Sequence, residues 1–175
     1  MEQTHVVLLG LMGSGKSTVG RALAKRLGRP FRDSDPDIEA ATGRSAHDIA
    51  EEDGIDALHV LEVRHLLDAL DATEPLVIAA AAYVIEDTTV QTALSDRERM
   101  TPIWLRGDPA ILARQAATGD HRPDFGPLQS TLEDQARRRD PLFEALDPIT
   151  IDIGDESPEA AVDTALARLG DLGIR

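Results

Sequence analysis

The sequence predicts an α/β protein in which a parallel β-sheet is covered by helices on both faces. Three observations carry that expectation. Short apolar runs alternate along the chain with stretches of helical periodicity. The first run, HVVLL at His5–Leu9, is continuously apolar, as a strand buried on both faces requires. The 175 residues suffice for one domain with a real core, and no internal repeat, low-complexity tract or linker divides them.

Taken in order, His5–Leu9 is a first strand running into a glycine loop. Ser17–Leu27 reads as a helix, with Val19, Leu23, Ala24 and Leu27 on one face and Gly28 as its stop. Phe31 and Arg32 make a brief second strand leading into Asp-Ser-Asp. Asp35–Ala41, Ser45–Glu52 and Ile55–Leu70 are helical, punctuated by Gly43 and Gly54. Leu76–Ala80 is a third strand, Asp87–Leu94 a helix, Pro102–Leu105 a fourth strand and Pro109–Ala117 a helix. Gly119–Ser130 mixes glycine, proline and charge without a period, and is expected to be a mobile loop. A helix from Thr131 to about Leu146, a strand at Ile149–Ile153 and an amphipathic helix at Pro158–Leu169 complete the chain.

Composition narrows the function. With 32 acidic against 18 basic residues the formal charge is -14, which opposes binding to nucleic acid or an anionic membrane surface. There is no cysteine, which excludes disulfides, thiolate nucleophiles and thiolate zinc sites. No run approaches the roughly twenty apolar residues that a transmembrane helix needs. No basic leader precedes the opening apolar stretch, so a cytoplasmic location is expected.

Gly10-Leu-Met-Gly-Ser-Gly-Lys16-Ser17 fits the pattern G-x-x-x-x-G-K-[ST] between a predicted strand and a predicted helix. Gly13 and Gly15 let the backbone curl and turn N–H groups inward, so that Met12, Gly13, Ser14, Gly15 and Thr18 form a phosphate cradle at a helix N-terminus. Lys16 is expected to bridge the β- and γ-phosphates of ATP, and the Ser17 hydroxyl to ligate Mg²⁺. With no asparagine the chain cannot supply an N-K-x-D guanine reader. Asp33 and Asp35 stand at the end of the second strand, where ligands collect in open parallel sheets. One could hold the metal while the other meets an acceptor hydroxyl, or Asp-Ser-Asp could simply cap a helix. His59-x-x-Glu62-x-x-His65 has the look of a metal motif, but residues six apart on a helix diverge by about 120° and do not converge on one ion.

The stretch GLMGSGKSTVGRALAKRLGRPFRDSDPDIEAATGRSAHDI resembles the opening of a shikimate kinase, and HRP and RRRDPLFEALDPITID continue the likeness more thinly. The resemblance implies a three-layer P-loop kinase fold in a single domain, residues 1–175, with a central five-stranded parallel sheet flanked by helices. It also implies a small substrate-binding segment at about 35–70 and a lid at about 119–130 that closes over ATP. By the same resemblance, Lys16 and Ser17 match the ATP and magnesium residues, Asp33 the metal-side aspartate, and Asp35 the aspartate that meets the reacting diol. Arg122 resembles a lid arginine reaching the phosphates, and Arg139 an arginine gripping a substrate carboxylate. Either could instead be a solvated charge.

Three departures from the family stand out, two of them on the acceptor side and one at the adenine. A Gly-Gly-Gly becomes Ala80, Ala81 and Ala82, followed by Tyr83. If those positions use φ > 0, each methyl costs on the order of 1 kcal/mol and fills ligand space. An arginine becomes His59, and an adenine-stacking arginine becomes Gln115 with Arg114 adjacent. The alanines are either a buried strand end or a reshaped acceptor pocket with the Tyr83 hydroxyl as a new donor. The expected function is ATP- and Mg²⁺-dependent phosphorylation of a small hydroxylated acceptor by a monomer. Shikimate is the first guess, another cyclitol, sugar or sugar acid the alternative, and a non-catalytic nucleotide binder the second alternative.

Overall fold

The computed structural model describes residues 4–117, 127–154 and 157–174. Five strands, β1 (His5–Leu9), β2 (Phe31–Asp33), β3 (Val77–Ala79), β4 (Met100–Gly107) and β5 (Ile149–Ile153), form one sheet in the order β2-β3-β1-β4-β5. Every pairing is parallel. The helices are α1 (Lys16–Leu27), α2 (Ser34–Thr42), α3 (Ala46–Glu52), α4 (Ile55–Leu70), α5 (Thr88–Leu94), α6 (Pro109–Ala116), α7 (Leu128–Ala145) and α8 (Pro158–Asp171). A 3₁₀ helix at Ala82–Glu86 follows β3.

Strand β1 shows why its sequence is apolar throughout. Val7 and Leu9 pack with Leu66, Ile78 and Trp104 on one face, while Val6 and Leu8 meet Leu23 of α1 and Val162 and Leu169 of α8 on the other. Burial of each such side chain contributes about 1.5–3 kcal/mol. A polar substitution on either face of β1 would therefore remove a large part of a domain's net stability, about 5–15 kcal/mol.

Segment α2–α4 carries its own small cluster, Ile38, Ile49 and Leu58. The Thr-Gly-Arg-Ser junction is explained by two caps. Gly43, at φ 73°, ends α2 in the left-handed conformation, and Ser45 and Asp48 form a reciprocal capping box that starts α3. Asp37 ties the segment to the sheet, with its Oδ2 2.5 Å from Arg32 Nε and 2.7 Å from His65 Nε2. Burial disfavours its charge, but the Arg32 and His65 hydrogen bonds outweigh that and hold the carboxyl below the usual range.

Several boundaries differ from expectation. β4 starts two residues before Pro102, and pairing with β5 begins only at Ile103, so the proline falls where the strand has β1 alone as a neighbour. The expected lid at 119–130 is overrun by α7, which already begins at Leu128. Residues 118–126, and with them Arg122, lie outside the described part. Among the described residues, no helix is long and apolar enough to cross a membrane.

Candidate active site

The glycine loop leaves the C-terminal end of β1, the central strand, and delivers the chain into α1. At Gly13 the backbone has φ 81°, and a Cβ would stand 2.2 Å from the Leu112 carbonyl oxygen, so only glycine fits. Gly15, at φ 82°, is the N-cap of α1 and places no side chain on the helix end. The first turn of α1 holds no acidic residue and makes no side-chain cap bond, so its amides and the positive end of its dipole face outward for an anion. Lys16 Nζ folds back over the loop, donating to the carbonyls of Gly10 at 2.9 Å and Leu11 at 3.0 Å.

A cavity of about 440 Å³ opens beside this loop, a size typical of small-molecule sites. Asp33 and Asp35 both line it, although not by the expected route. Strand geometry stops at Asp33 and α2 begins at Ser34, so the two carboxylates come from a strand end and a first helical turn. Asp33 occupies the N-cap position yet makes no side-chain cap bond. Its carboxyl engages the Ser17 hydroxyl instead, and burial raises its pKa against the pull of Ser17, Lys16 and Arg21.

The other half of the cavity is formed by α4, the end of β3, the 3₁₀ helix and α7. The His59 and Tyr83 rings stack in parallel, with centroids 3.4 Å apart and an interplanar angle of 1°. Burial, then the charge of Arg139, lower the His59 pKa, so the ring is neutral near pH 7. Arg139 is itself buried, with Nε donating to Glu86 Oε1 at 2.5 Å and Nη1 to Gln135 Oε1 at 3.1 Å. Its guanidinium lies 6.0 Å from the Tyr83 ring centroid.

Glu62 sits among these groups, only 8% exposed, with Oε2 buried and lacking a hydrogen-bond partner. Burial, then the nearby Asp35 charge, push its carboxyl up to about 7, against Arg139 and Lys16. The His-x-x-Glu-x-x-His spacing alone gives Glu62 no role. A usable signal was present: on α4 it shares the buried face with Leu58, Leu66 and Ala69, where a carboxylate breaks the apolar pattern. The motif's three side chains go separate ways, His59 to Tyr83, Glu62 to the cavity and His65 to Asp37.

The strain considered at the alanines is absent. Among the described non-glycine residues only Asp147 has positive φ, and Ala81 is extended at φ -61°, ψ 148°. Ala80, at the end of β3, is only 2% exposed, and Ala80, Ala81 and Ala82 all line the cavity. The turn seen in the sequence is the start of the 3₁₀ helix.

The structure thus gathers Met12, Gly13, Gly15, Lys16, Ser17, Thr18, Asp33, Asp35, His59, Ala81, Ala82, Tyr83 and Arg139 around one cavity. Ser14 lies elsewhere, with Gly15 and Gln115 on a second cavity of about 240 Å³ along α1, β5 and α8. Gln115 donates there to the Gly154 carbonyl at 3.1 Å, whereas Arg114 is exposed and lines neither cavity. Arg138 lines the first cavity and was not singled out in the sequence.

The family model described as shikimate kinase matches residues 12–170. A shikimate kinase of Caulobacter vibrioides is 36% identical over 167 residues, covering 94% of this chain and 81% of its own length. One from Paramagnetospirillum magneticum is 36% identical over 159 residues, covering 90% and 80%. The structure of an Acinetobacter baumannii shikimate kinase in complex with shikimate superposes with a TM-score of 0.90 at 26% identity, covering 99% of this chain and 96% of that one.

Proposed function

Since this chain belongs to the shikimate kinase family, and is thereby a P-loop small-molecule kinase, we propose that it transfers the γ-phosphoryl group of ATP to a hydroxyl of a small polyhydroxylated ring. One observation carries the reading: the phosphate loop with Lys16 and Ser17 shares a cavity with Asp35, so a donor phosphate and an acceptor hydroxyl would meet there.

Each side chain then has a task. Lys16 leaves the Gly10 and Leu11 carbonyls for the β- and γ-phosphates, and the α1 amides offset charge on the transferring group. Ser17 and Asp33 offer a hydroxyl and a carboxylate, hard oxygens that fit Mg²⁺. Bound there, Mg²⁺ would neutralise phosphate charge. Asp35 orients the acceptor hydroxyl and takes its proton as oxygen bonds to the γ-phosphorus and the bond to ADP breaks. Arg122 is assigned to the phosphates by family resemblance alone. The second cavity, walled by Gln115 and Pro158, suits the nucleotide's base.

Shikimate is the first acceptor to assay, because the relatives carry that name. A different small acceptor is the second reading, favoured by the neutral His59 and the Ala81 and Ala82 methyls on the cavity wall. Coupled ADP release over shikimate, gluconate, inositols and simple sugars tests the proposal. Turnover with any of them supports it, and ATP binding without turnover on any would replace the kinase by a nucleotide binder.

A further inference from the structure

We propose that Arg138 grips the carboxylate of a carboxylated acceptor and so determines which acceptors this site prefers. The proposal rests on the kinase reading for the reaction, and on the charges around the cavity for the role.

Arg137, Arg138 and Arg139 are consecutive on α7, yet the fold gives each a different setting. Arg137 turns back on its own helix, donating to the Asp134 carboxylate and the Glu133 carbonyl. Arg139 is 6% exposed, with Nε bound to Glu86 and Nη1 to Gln135. Arg138 lines the cavity, is open to solvent, and among the described residues makes no hydrogen bond, ion pair or ring contact. Its place on α7 is not that of a charge on a solvated face. Thr131, Gln135, Arg138 and Arg139 fall at i, i+4, i+7 and i+8, the stripe that α7 turns to the cavity.

The neighbouring charges decide what that guanidinium meets. Asp35 and Glu62 bring carboxyl groups to the acceptor half, while Glu86 offsets Arg139. His59 is neutral and stacked on Tyr83, so it adds no charge. Lys16 is held at the glycine loop by the Gly10 and Leu11 carbonyls. Without Arg138, a carboxylated ring would meet Asp35 and Glu62 with no uncompensated cation in the acceptor half to answer them. The Arg138 guanidinium is a planar fork that pairs with both oxygens of a carboxylate, and it gives up no internal bond to do so. Arg139 beside it is a second cation, partly offset. With the carboxylate taken on α7, the ring's hydroxyls are left for Asp35, which α2 brings to the same cavity.

The test uses the full chain with ATP and Mg²⁺ and a matched acceptor pair, shikimate and its methyl ester, which differ in the charge of one group. The wild-type chain should prefer the acid. Arg138→Ala should raise the KM for the acid at least tenfold, with kcat within about threefold and the ATP Kd unchanged, because a charge-assisted pair is lost and nothing at the phosphates. It should leave the KM for the ester in place and so erase the preference, and Arg138→Lys, a charge without the fork, should fall between. Arg137→Ala, on the residue paired with Asp134, should match wild type on both acceptors. Binding of both compounds to protein saturated with a non-hydrolysable ATP analogue is measured by calorimetry in parallel. Binding of the acid that Arg138→Ala weakens, without turnover of either compound, refutes the kinase reading and supports the role of Arg138. The role is overturned if the ester is preferred, if the acid neither binds nor turns over, or if Arg138→Ala weakens acid and ester alike. A rise in the ATP Kd as large as the rise in the acid's KM also overturns it, since Arg138 would then serve the phosphates.

Discussion

Replacing Glu62 by glutamine should flatten the pH dependence of folding stability. The carboxyl is lifted from 4.5 to about 7 by burial first and by Asp35 second. At about 1.4 kcal/mol per unit, the ionised folded form is disfavoured by roughly 3 kcal/mol. Because the folded pKa is the higher one, the stabilising contribution of the neutral form is complete below pH 4.5 and is lost as pH rises through about 7. Between about pH 5 and pH 8 the wild-type chain should lose about 2.5 kcal/mol from this group, or about 5–10 °C in Tm for a domain this size. Glutamine has nearly the same shape and does not titrate, so Glu62→Gln should gain on wild type by that amount over the interval. Urea unfolding of both chains at four pH values reads the difference directly. Parallel stability curves for the two chains would show that Glu62 titrates normally and is not desolvated in the folded chain.

Three further outcomes are expected. Asp35→Asn should reduce kcat by about 10²–10⁴-fold with little change in the ATP Kd, as measured by coupled ADP release and calorimetry, because only proton removal and hydroxyl orientation are lost. Gly13→Ala should abolish ATP binding, since its Cβ would strike the Leu112 carbonyl at 2.2 Å. Gly28→Ala, also at positive φ but with nothing within 4 Å, should cost only about 1 kcal/mol in urea unfolding and leave ATP binding intact. Changing Ala80, Ala81 and Ala82 to glycine together with His59→Arg should raise shikimate phosphorylation. The glycines alone should cost about 0.5–1 kcal/mol each, as no positive φ is there to be relieved.

The chain order of strands and helices was legible because each signal is local. A continuous apolar run such as HVVLL needs both faces covered whatever its neighbours are, and Gly43 and Ser45 act on the bonds next to them. The glycine loop was legible because its glycines, lysine and serine are contiguous in the chain, and Lys16 folds back on the carbonyls of Gly10 and Leu11 beside it. Where a boundary moved, a distant partner moved it. Pro102 is tolerated inside β4 only because β5 starts pairing one residue later, and pairing register is not written in either strand by itself.

The sequence by itself determined the elements and the glycine-loop side of the cavity, because the residues proposed to bind phosphate there lie within one loop and one helical turn. Tertiary structure decided the acceptor half. His59 and Tyr83 are 24 positions apart, and Arg139 finds Glu86 across 53. Whether a histidine is neutral, an arginine neutralised or a glutamate left without a partner depends on which groups the fold brings within a few ångströms, since burial and neighbouring charge set ionisation and chain distance does not.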